Sequence, residues 1–100
     1  MEIGIPVLFS ERAIQDLEEI NDYIAERGYP ETALTYTNRI FDFCQTLSDF
    51  PLKHKICQRK GYKRFNYRCA VFEKTYIVAY RVEKNQTLMI KRVIYGRRLA

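Results

Sequence analysis

The 100-residue sequence contains no tryptophan, one histidine, four glycines and three prolines, whereas 47% of its residues are hydrophobic. So little glycine and proline beside so much apolar material excludes a disordered chain, and the length suits one compact domain over residues 1–100. The longest apolar run, residues 76–80, is far shorter than the ~20 residues that a membrane-spanning helix needs. Near the N-terminus the sequence carries Glu2 and not the basic segment of a secretory signal peptide. We therefore predict a soluble, cytoplasmic protein with no membrane partner.

The cysteines are too few and too irregularly spaced for a metal site or a disulfide framework. There are three, at positions 44, 57 and 69, and no two of them form a Cys-x-x-Cys pair. His54 and Cys57 together offer fewer ligands than a closed zinc site takes. We therefore predict no metal, no disulfide framework, and cysteines that behave as small apolar residues.

The usual signs of catalysis and of cofactor binding are also missing. The single histidine has no serine or cysteine at a nucleophile-elbow spacing, and no glycine-rich loop follows a strand to bind phosphate. The neighbouring carboxylates of Glu18 and Glu19 fall on the polar side of a predicted helix, where solvation accounts for them. We expect no cofactor, and a binding protein rather than an enzyme.

The two halves of the chain carry opposite charges. Residues 1–50 hold ten acidic and three basic side chains, and residues 51–100 hold two acidic and fourteen basic ones. The excess of basic residues leaves a formal charge of +5. Even if the acidic half folds over the basic half, positive surface should remain for a phosphate backbone, an acidic peptide or an acidic protein face.

The first half has the apolar spacing of two amphipathic helices that follow a short strand over residues 3–9. Ser10 is a suitable N-cap, Gly28 should end the first helix, and Pro30 should open the second. Pro51 should end the second helix at Phe50. The predicted core positions are Ala13, Leu17, Ile20, Ile24, Ala33, Ile40, Cys44 and Leu47, and the charged residues between them, Asp16 included, are assigned to the solvent side.

The second half changes to the pattern of β-strands. Residues 51–61 form a basic loop without a period, and β-branched and aromatic runs follow at residues 62–66, 68–72, 76–82 and 87–95. The order βααββββ predicts an α+β domain in which an N-terminal strand and an antiparallel helical hairpin accompany a twisted, mainly antiparallel sheet. Both faces of the last strands are mixed, so the pattern leaves open which face meets the helices.

Cations alternate with aromatic rings toward the end of the chain. The runs are residues 63–65, 67–68, 80–81, 91–92 and 95–98. Arginine binds phosphate or carboxylate through paired hydrogen bonds, and exposed rings offer stacking surfaces. Core packing and solubility would use the same residue types, but the concentration of charge in one half favours a binding surface.

Four segments share their order and spacing with a known protein family. They are the pattern from Phe9-Ser10 to Tyr23-Ile24, the Phe50-Pro51 pair, residues 76–82 (YIVAYRV) and residues 90–98 (IKRVIYGRR). Together they resemble the ParE/RelE superfamily of bacterial toxins from type II toxin–antitoxin pairs, and the ending YGRR is closer to ParE. The resemblance covers nearly the whole chain and implies a RelE/ParE-like fold and a role in plasmid stabilisation.

The resemblance implies two activities, of which the ParE-like one ranks first. ParE-like members are associated with inhibition of DNA gyrase, whereas RelE-like members cut mRNA on the ribosome. Ile77 stands where the cleaving relatives tend to carry an arginine, and an isoleucine cannot stabilise a scissile phosphate. We therefore predict an inhibitor that binds its target through Arg81, Arg92, Tyr95, Arg97 and Arg98.

The alternative is a ribosome-dependent endoribonuclease of the RelE type. In that case Arg64, Arg68, Lys91 or Arg97 would neutralise phosphate, and Tyr95, with an ordinary pKa of about 10, would assist proton transfer as an acid. An inactive structural relative is a third interpretation. The resemblance also implies a cognate antitoxin, expected to be a small acidic protein whose flexible tail wraps the domain.

Overall fold

The computed structural model describes residues 5–96 of the chain. The elements in chain order are β1 (Val7–Phe9), α1 (Glu11–Glu26), α2 (Pro30–Thr46), α3 (Lys60–Lys63), β2 (Arg68–Phe72), β3 (Tyr76–Val82) and β4 (Leu88–Tyr95). The predicted α+β class is confirmed, because one strand precedes the helical hairpin and the other strands follow it.

Helix α1 begins and ends where its capping residues predict. The Ser10 hydroxyl accepts a hydrogen bond from the Ala13 N–H at 3.0 Å, which satisfies one of the free donors of the first turn. Gly28 lies just beyond the helix with φ of 91°, a conformation in which glycine avoids the Cβ clash of other residues. Only residues 27–29 separate the two helices, so they pack against each other as a hairpin.

Helix α2 is shorter than predicted, since it ends at Thr46 and not at Phe50. The Leu47 N–H bonds to the Cys44 carbonyl three residues back, so the backbone tightens at this point. The Ser48 hydroxyl also donates to the Gln45 carbonyl, which continues the chain as a turn. No helix within the described range is long and apolar enough to cross a bilayer.

The strands form one sheet in the order β1-β4-β3-β2. Strand β1 pairs with β4 in parallel, and the other two pairings are antiparallel. Because β1 has only three residues, it covers β4 from Leu88 to Ile90, and no other strand formed by residues 5–96 pairs with the outer edge of residues 91–95. This uncovered edge lies against helix α1 and forms part of the candidate site.

The prediction of a strand over residues 62–66 is wrong. The N–H groups of Tyr62 and Lys63 both bond to the Arg59 carbonyl, which closes the short helix α3. Asn66 then takes a left-handed conformation with φ of 62° and reverses the chain into β2. The aromatic and basic side chains of this segment are of the types found in strands. Backbone hydrogen bonds between residues three and four positions apart nevertheless hold the segment in a helical turn.

The helices cover one face of the sheet and enclose the main core. Its largest fully buried side chains include Tyr80, Ile40, Leu88, Ile90 and Val78. The pairing of β3 with β4 shifts by one residue between Ala79 and Tyr80, where Lys91 is the extra residue. The shift puts Leu88 and Ile90 on the core side before the bulge and Val93 on that side after it, which explains the mixed alternation of the sequence.

The opposite face of the sheet is covered by a small second cluster. Cys57, Tyr67 and Ala79 are buried there, and Tyr62 and Cys69 pack at its border. Cys57 and Cys69 form a disulfide with a Cα–Cα distance of 5.0 Å, which corrects the prediction that these residues are simple apolar fillers. The two cysteines meet because residues 55–57 run alongside the start of β2, a pairing between distant segments that their spacing does not reveal.

Candidate functional site

Arg92, a predicted target contact, is bound to helix α1. Its Nε and Nη2 donate to the two carboxylate oxygens of Asp16 at 2.9 and 3.2 Å. The hydrogen bond to Asp16 is the largest cause that raises the pKa of the Arg92 guanidinium. Asp16 also accepts a hydrogen bond from the Val93 N–H at 2.9 Å. One carboxylate therefore serves as hydrogen-bond acceptor both for the backbone at the uncovered edge of β4 and for the Arg92 side chain.

The assignment of Asp16 to the solvent side of α1 is wrong, because its exposed fraction is 4%. The spacing contains the signal that would have found it. Asp16 follows Ala13 by three residues and precedes Ile20 by four, so it lies on the helix face that both of these residues bury. A carboxylate on a buried face needs a partner, and Arg92 is that partner.

Arg81, a second predicted target contact, is also bound within the chain. Its Nε and Nη2 donate to the carboxylate of Glu83 at 3.0 and 3.3 Å, and its Nη1 donates to the Phe65 carbonyl at 3.0 Å. The guanidinium lies 4.6 Å from the centre of the Tyr67 ring. The bond to Glu83 is the first cause that raises the pKa of Arg81. Arg81 thus holds the segment after α3 against the sheet.

Tyr95 lies at the end of β4, 40% exposed, with its ring centre 5.9 Å from that of Tyr76. It borders a groove of about 550 Å³ that runs between α1 and the uncovered edge of β4. Gly96 follows, and its N–H bonds to the Thr75 carbonyl at 2.7 Å. A Cβ at Gly96 would lie 3.1 Å from that oxygen. The close approach of the two backbones therefore explains why a glycine follows Tyr95.

Two of the residues predicted for a RelE-type reaction, Arg68 and Tyr95, lie at opposite ends of the sheet. Arg68 is in register with Tyr80 and Ile90 at one end of the sheet, where its Nη1 donates to the His54 carbonyl at 2.7 Å. Tyr95 is in register with Tyr76 at the other end, about 13 Å away along the strands and about 10 Å across them. Exposed Arg64 follows α3 and exposed Lys91 is the bulge residue of β4. Arg97 and Arg98 lie outside the described residues.

The available positive charge is concentrated in residues 53–68, called the basic segment here. No acidic residue occurs between Asp49 and Glu73, and the cations in this stretch are Lys53, Lys55, Arg59, Lys60, Lys63, Arg64 and Arg68. The four lysines and Arg64 are exposed, and within residues 5–96 none of these five forms an ion pair. This surface differs from Arg81 and Arg92, whose charges are matched by carboxylates.

Burial shifts the pKa values of two neighbouring side chains, His54 and Tyr80. Burial and then the neighbouring charge of Lys53 lower the pKa of His54, so its imidazole favours the neutral form. Tyr80 is fully buried, its hydroxyl donates to the Pro51 carbonyl at 2.6 Å, and burial raises its pKa. The rings of His54 and Tyr80 meet edge to face, with their centres 6.3 Å apart. Residues 5–96 contain no cluster of histidine, cysteine or carboxylate side chains able to hold a metal ion.

Comparison with known proteins identifies the family. The model of the "ParE toxin of type II toxin-antitoxin system, parDE" matches residues 7–100. A chain from the chromosomal ParDE system of P. aeruginosa is similar in fold, with a TM-score of 0.78 and 19% identity over 92% of this chain and 96% of that chain. A chain of the RelBE2 toxin–antitoxin complex from Mycobacterium tuberculosis gives a TM-score of 0.66 and 23% identity over 93% and 99%. Among curated proteins none matches significantly. Since the family model spans almost the whole sequence, the chain belongs to the ParE toxin family of type II toxin–antitoxin systems.

Proposed function

We propose that this ParE-type toxin inhibits DNA gyrase by binding and not by catalysis. The observation that supports binding is the separation of Arg68 from Tyr95, both predicted for the cleavage reaction, by about 13 Å along the strands and about 10 Å across them. Joint action on one phosphate requires the acting groups to be held close together, and this strand register does not favour it. The gyrase target follows from the family alone.

The end of β4 is the proposed contact with the target. Arg92 positions this strand through Asp16, and the exposed Tyr95 ring stands at the mouth of the groove beside it. Arg97 and Arg98 follow Tyr95 and Gly96 in the sequence and would extend the contact with two further cations. In this arrangement Arg81 and Arg92 act as positioning residues and the terminal residues touch the target.

A supercoiling assay with purified full-length chain and gyrase tests the proposal. The chain should block supercoiling, and Tyr95→Ala should weaken the block by at least about tenfold, as expected for a contact residue at the centre of an interface. Tyr29→Ala removes a more exposed ring, 61% against 40% for Tyr95, from the loop between the helices and should change the block by less than about twofold. Gyrase that remains fully active at saturating toxin would rule out this target.

The RelE-type activity is the second candidate, and it is supported by two unpaired cations. Arg64 and Lys91 are exposed and have no carboxylate partner within residues 5–96, so both could neutralise phosphate. Primer extension on mRNA from programmed ribosomes would detect cleavage as new 5′ ends. Loss of these ends in Arg64→Ala and Lys91→Ala, with full cleavage in the matched variant Lys74→Ala, would favour this activity over binding.

The proposed partner in the cell is an acidic antitoxin. Five exposed cations of the basic segment pair with no carboxylate among residues 5–96, so an acidic tail gains their attraction without displacing an ion pair in that range. Co-expression of the chain with the small reading frame beside its gene should restore growth and yield one complex on gel filtration. Growth arrest that the neighbouring protein does not relieve would contradict this partner.

A further inference from the structure

A covalently closed loop contains most of the basic segment. The disulfide between Cys57 and Cys69 closes this loop, residues 57–69, across twelve positions. The loop encloses α3 and the cations Arg59, Lys60, Lys63, Arg64 and Arg68. Three of the five exposed cations of the basic segment that form no ion pair within residues 5–96, Lys60, Lys63 and Arg64, therefore lie in a loop closed by one bond between two sulfur atoms.

Apart from this bond, hydrogen bonds and side-chain contacts attach the loop to the sheet, and one of them joins Tyr62 to Arg92 of β4. At its ends the Cys57 N–H bonds to the Tyr67 carbonyl at 2.8 Å and the Cys69 N–H to the Lys55 carbonyl at 3.1 Å. In its middle Arg81 binds the Phe65 carbonyl. The loop contributes no residue to the main core, and the second cluster that anchors it includes both cysteines. Breaking the disulfide therefore removes a principal anchor of the loop and leaves the main core intact.

We propose that Cys57 and Cys69 form a reversible redox site that controls the order of the basic segment. The reductant is a dithiol. One of its thiolates attacks a cysteine sulfur, forms a mixed disulfide and releases the other cysteine as a thiolate, which takes up a proton. The second thiol of the reductant then displaces the remaining cysteine. The protein gains two electrons and two protons, and the reductant is oxidised to its own disulfide.

The surroundings of the two sulfurs favour this exchange. Cys57 is 2% exposed, whereas Cys69 is partly exposed at the border of the cluster, so the attack takes place at Cys69 and Cys57 leaves. The whole stretch from residue 50 to residue 72 lacks acidic residues and carries seven cations, which stabilise a leaving thiolate. Cys44 provides the contrast, since its burial in the main core keeps it a thiol outside this chemistry.

Thiol counting tests whether the site exists. Full-length chain is equilibrated with oxidised glutathione or with dithiothreitol, then denatured and labelled with iodoacetamide for mass spectrometry. We expect one label, on Cys44, after oxidation, and three labels after reduction. Three labels in both samples, or glutathione adducts in place of the internal bond, would overturn the proposal.

Limited proteolysis tests whether the bond controls the segment and not the whole fold. Trypsin should cut after Lys60 and Lys63 at least about tenfold faster in the reduced chain, because removal of the cross-link opens the loop locally. Cutting after Lys84, in the turn between β3 and β4, should change by less than about twofold. Equal acceleration at Lys84, or no acceleration in the loop, would overturn the proposal.

A double substitution separates the bond from side effects of the reductant. Cys57→Ser with Cys69→Ser should be cut in the loop at the rate of the reduced chain in both buffers, because no bond remains to be broken. Cys44→Ser keeps the disulfide and should respond to dithiothreitol like the unsubstituted chain. If the double variant still responds to dithiothreitol, the redox site lies elsewhere and the proposal is wrong.

Discussion

Asp16 joins helix α1 to strand β4 through a side chain that is almost fully buried. Its carboxylate accepts hydrogen bonds from Arg92 and from the Val93 N–H, and Arg12 lies 3.4 Å away at the helix surface. A buried carboxylate is stable only when such partners replace water. The pair therefore explains both the acidic residue within an apolar face and the arginine within a strand.

We predict that Asp16→Ala lowers the free energy of unfolding by about 3 kcal/mol, because Arg92 loses its carboxylate while most of it stays covered. Urea denaturation measures the loss. Glu18→Ala removes an exposed carboxylate from the same helix and should cost less than about 0.5 kcal/mol. In the double variant Asp16→Ala/Arg92→Leu the loss should be smaller than the sum of the two single losses. If the loss of unfolding free energy in the double variant equals the sum of the two single losses, the pairing of Asp16 with Arg92 is contradicted.

His54 should make stability depend on pH. Its pKa is lowered from 6.5 in the folded chain, so the unfolded chain binds the proton more readily. The stability that His54 contributes is present above pH 6.5 and is lost as the pH falls through the lowered pKa. We predict that the urea midpoint falls more between about pH 7.5 and about pH 5 for the wild-type chain than for His54→Gln. Equal falls for the two chains would contradict the lowered pKa.

At the level of elements, the ends of the helices depend on local chemistry to different degrees. Ser10 and Gly28 act within a few residues, so both boundaries of α1 could be predicted from the sequence. The end of α2 and the short helix α3 depend on turn bonds that compete with continued helix or strand. The core-facing side of β4 depends on the bulge at Lys91, which no alternation of residues reveals.

Two glycines offer a matched test of backbone conformation. Gly28 has a positive φ, whereas Gly61 lies in α3, and a Cβ at either position would meet no atom within 4 Å. We predict that Gly28→Ala lowers the free energy of unfolding by about 1 kcal/mol, since only the left-handed backbone opposes it. Gly61→Ala should leave stability unchanged or raise it by up to about 1 kcal/mol. Urea midpoints measure both, and equal effects would show that the cap conformation does not matter.

At the scale of the whole molecule, the acidic first half and the basic second half of the chain are only partly kept apart by the fold. Arg81 pairs with a neighbour in its own half, whereas Arg92 is matched by Asp16 and Arg39 pairs with Glu73 across the two halves. Within residues 5–96, five exposed cations of the basic segment, Lys53, Lys55, Lys60, Lys63 and Arg64, form no ion pair. Positive surface therefore persists, as the excess of basic residues predicted, but at a different place from the predicted arginines.

We predict that the basic segment accelerates association with the acidic antitoxin. Replacing Lys60, Lys63 and Arg64 by glutamine should lower the association rate by about tenfold at low salt, because the attraction acts before contact. The matched variant with Lys74, Lys84 and Lys91 replaced by glutamine changes the net charge equally and should lower the rate by less than about threefold. Stopped-flow fluorescence measures both rates. Equal losses would mean that net charge alone matters.

The sequence by itself determined the properties that depend on neighbouring residues: the α+β class, the two amphipathic helices, the caps of α1, the strands β2 to β4 and the excess of positive charge. Only the tertiary structure decided which charges are neutralised and which cysteines meet. Asp16 and Arg92 are separated by 76 positions, and Cys57 reaches Cys69 across a reversal of the chain. Such contacts form because the packed helices and the strand register bring distant residues together, and no local spacing encodes that distance.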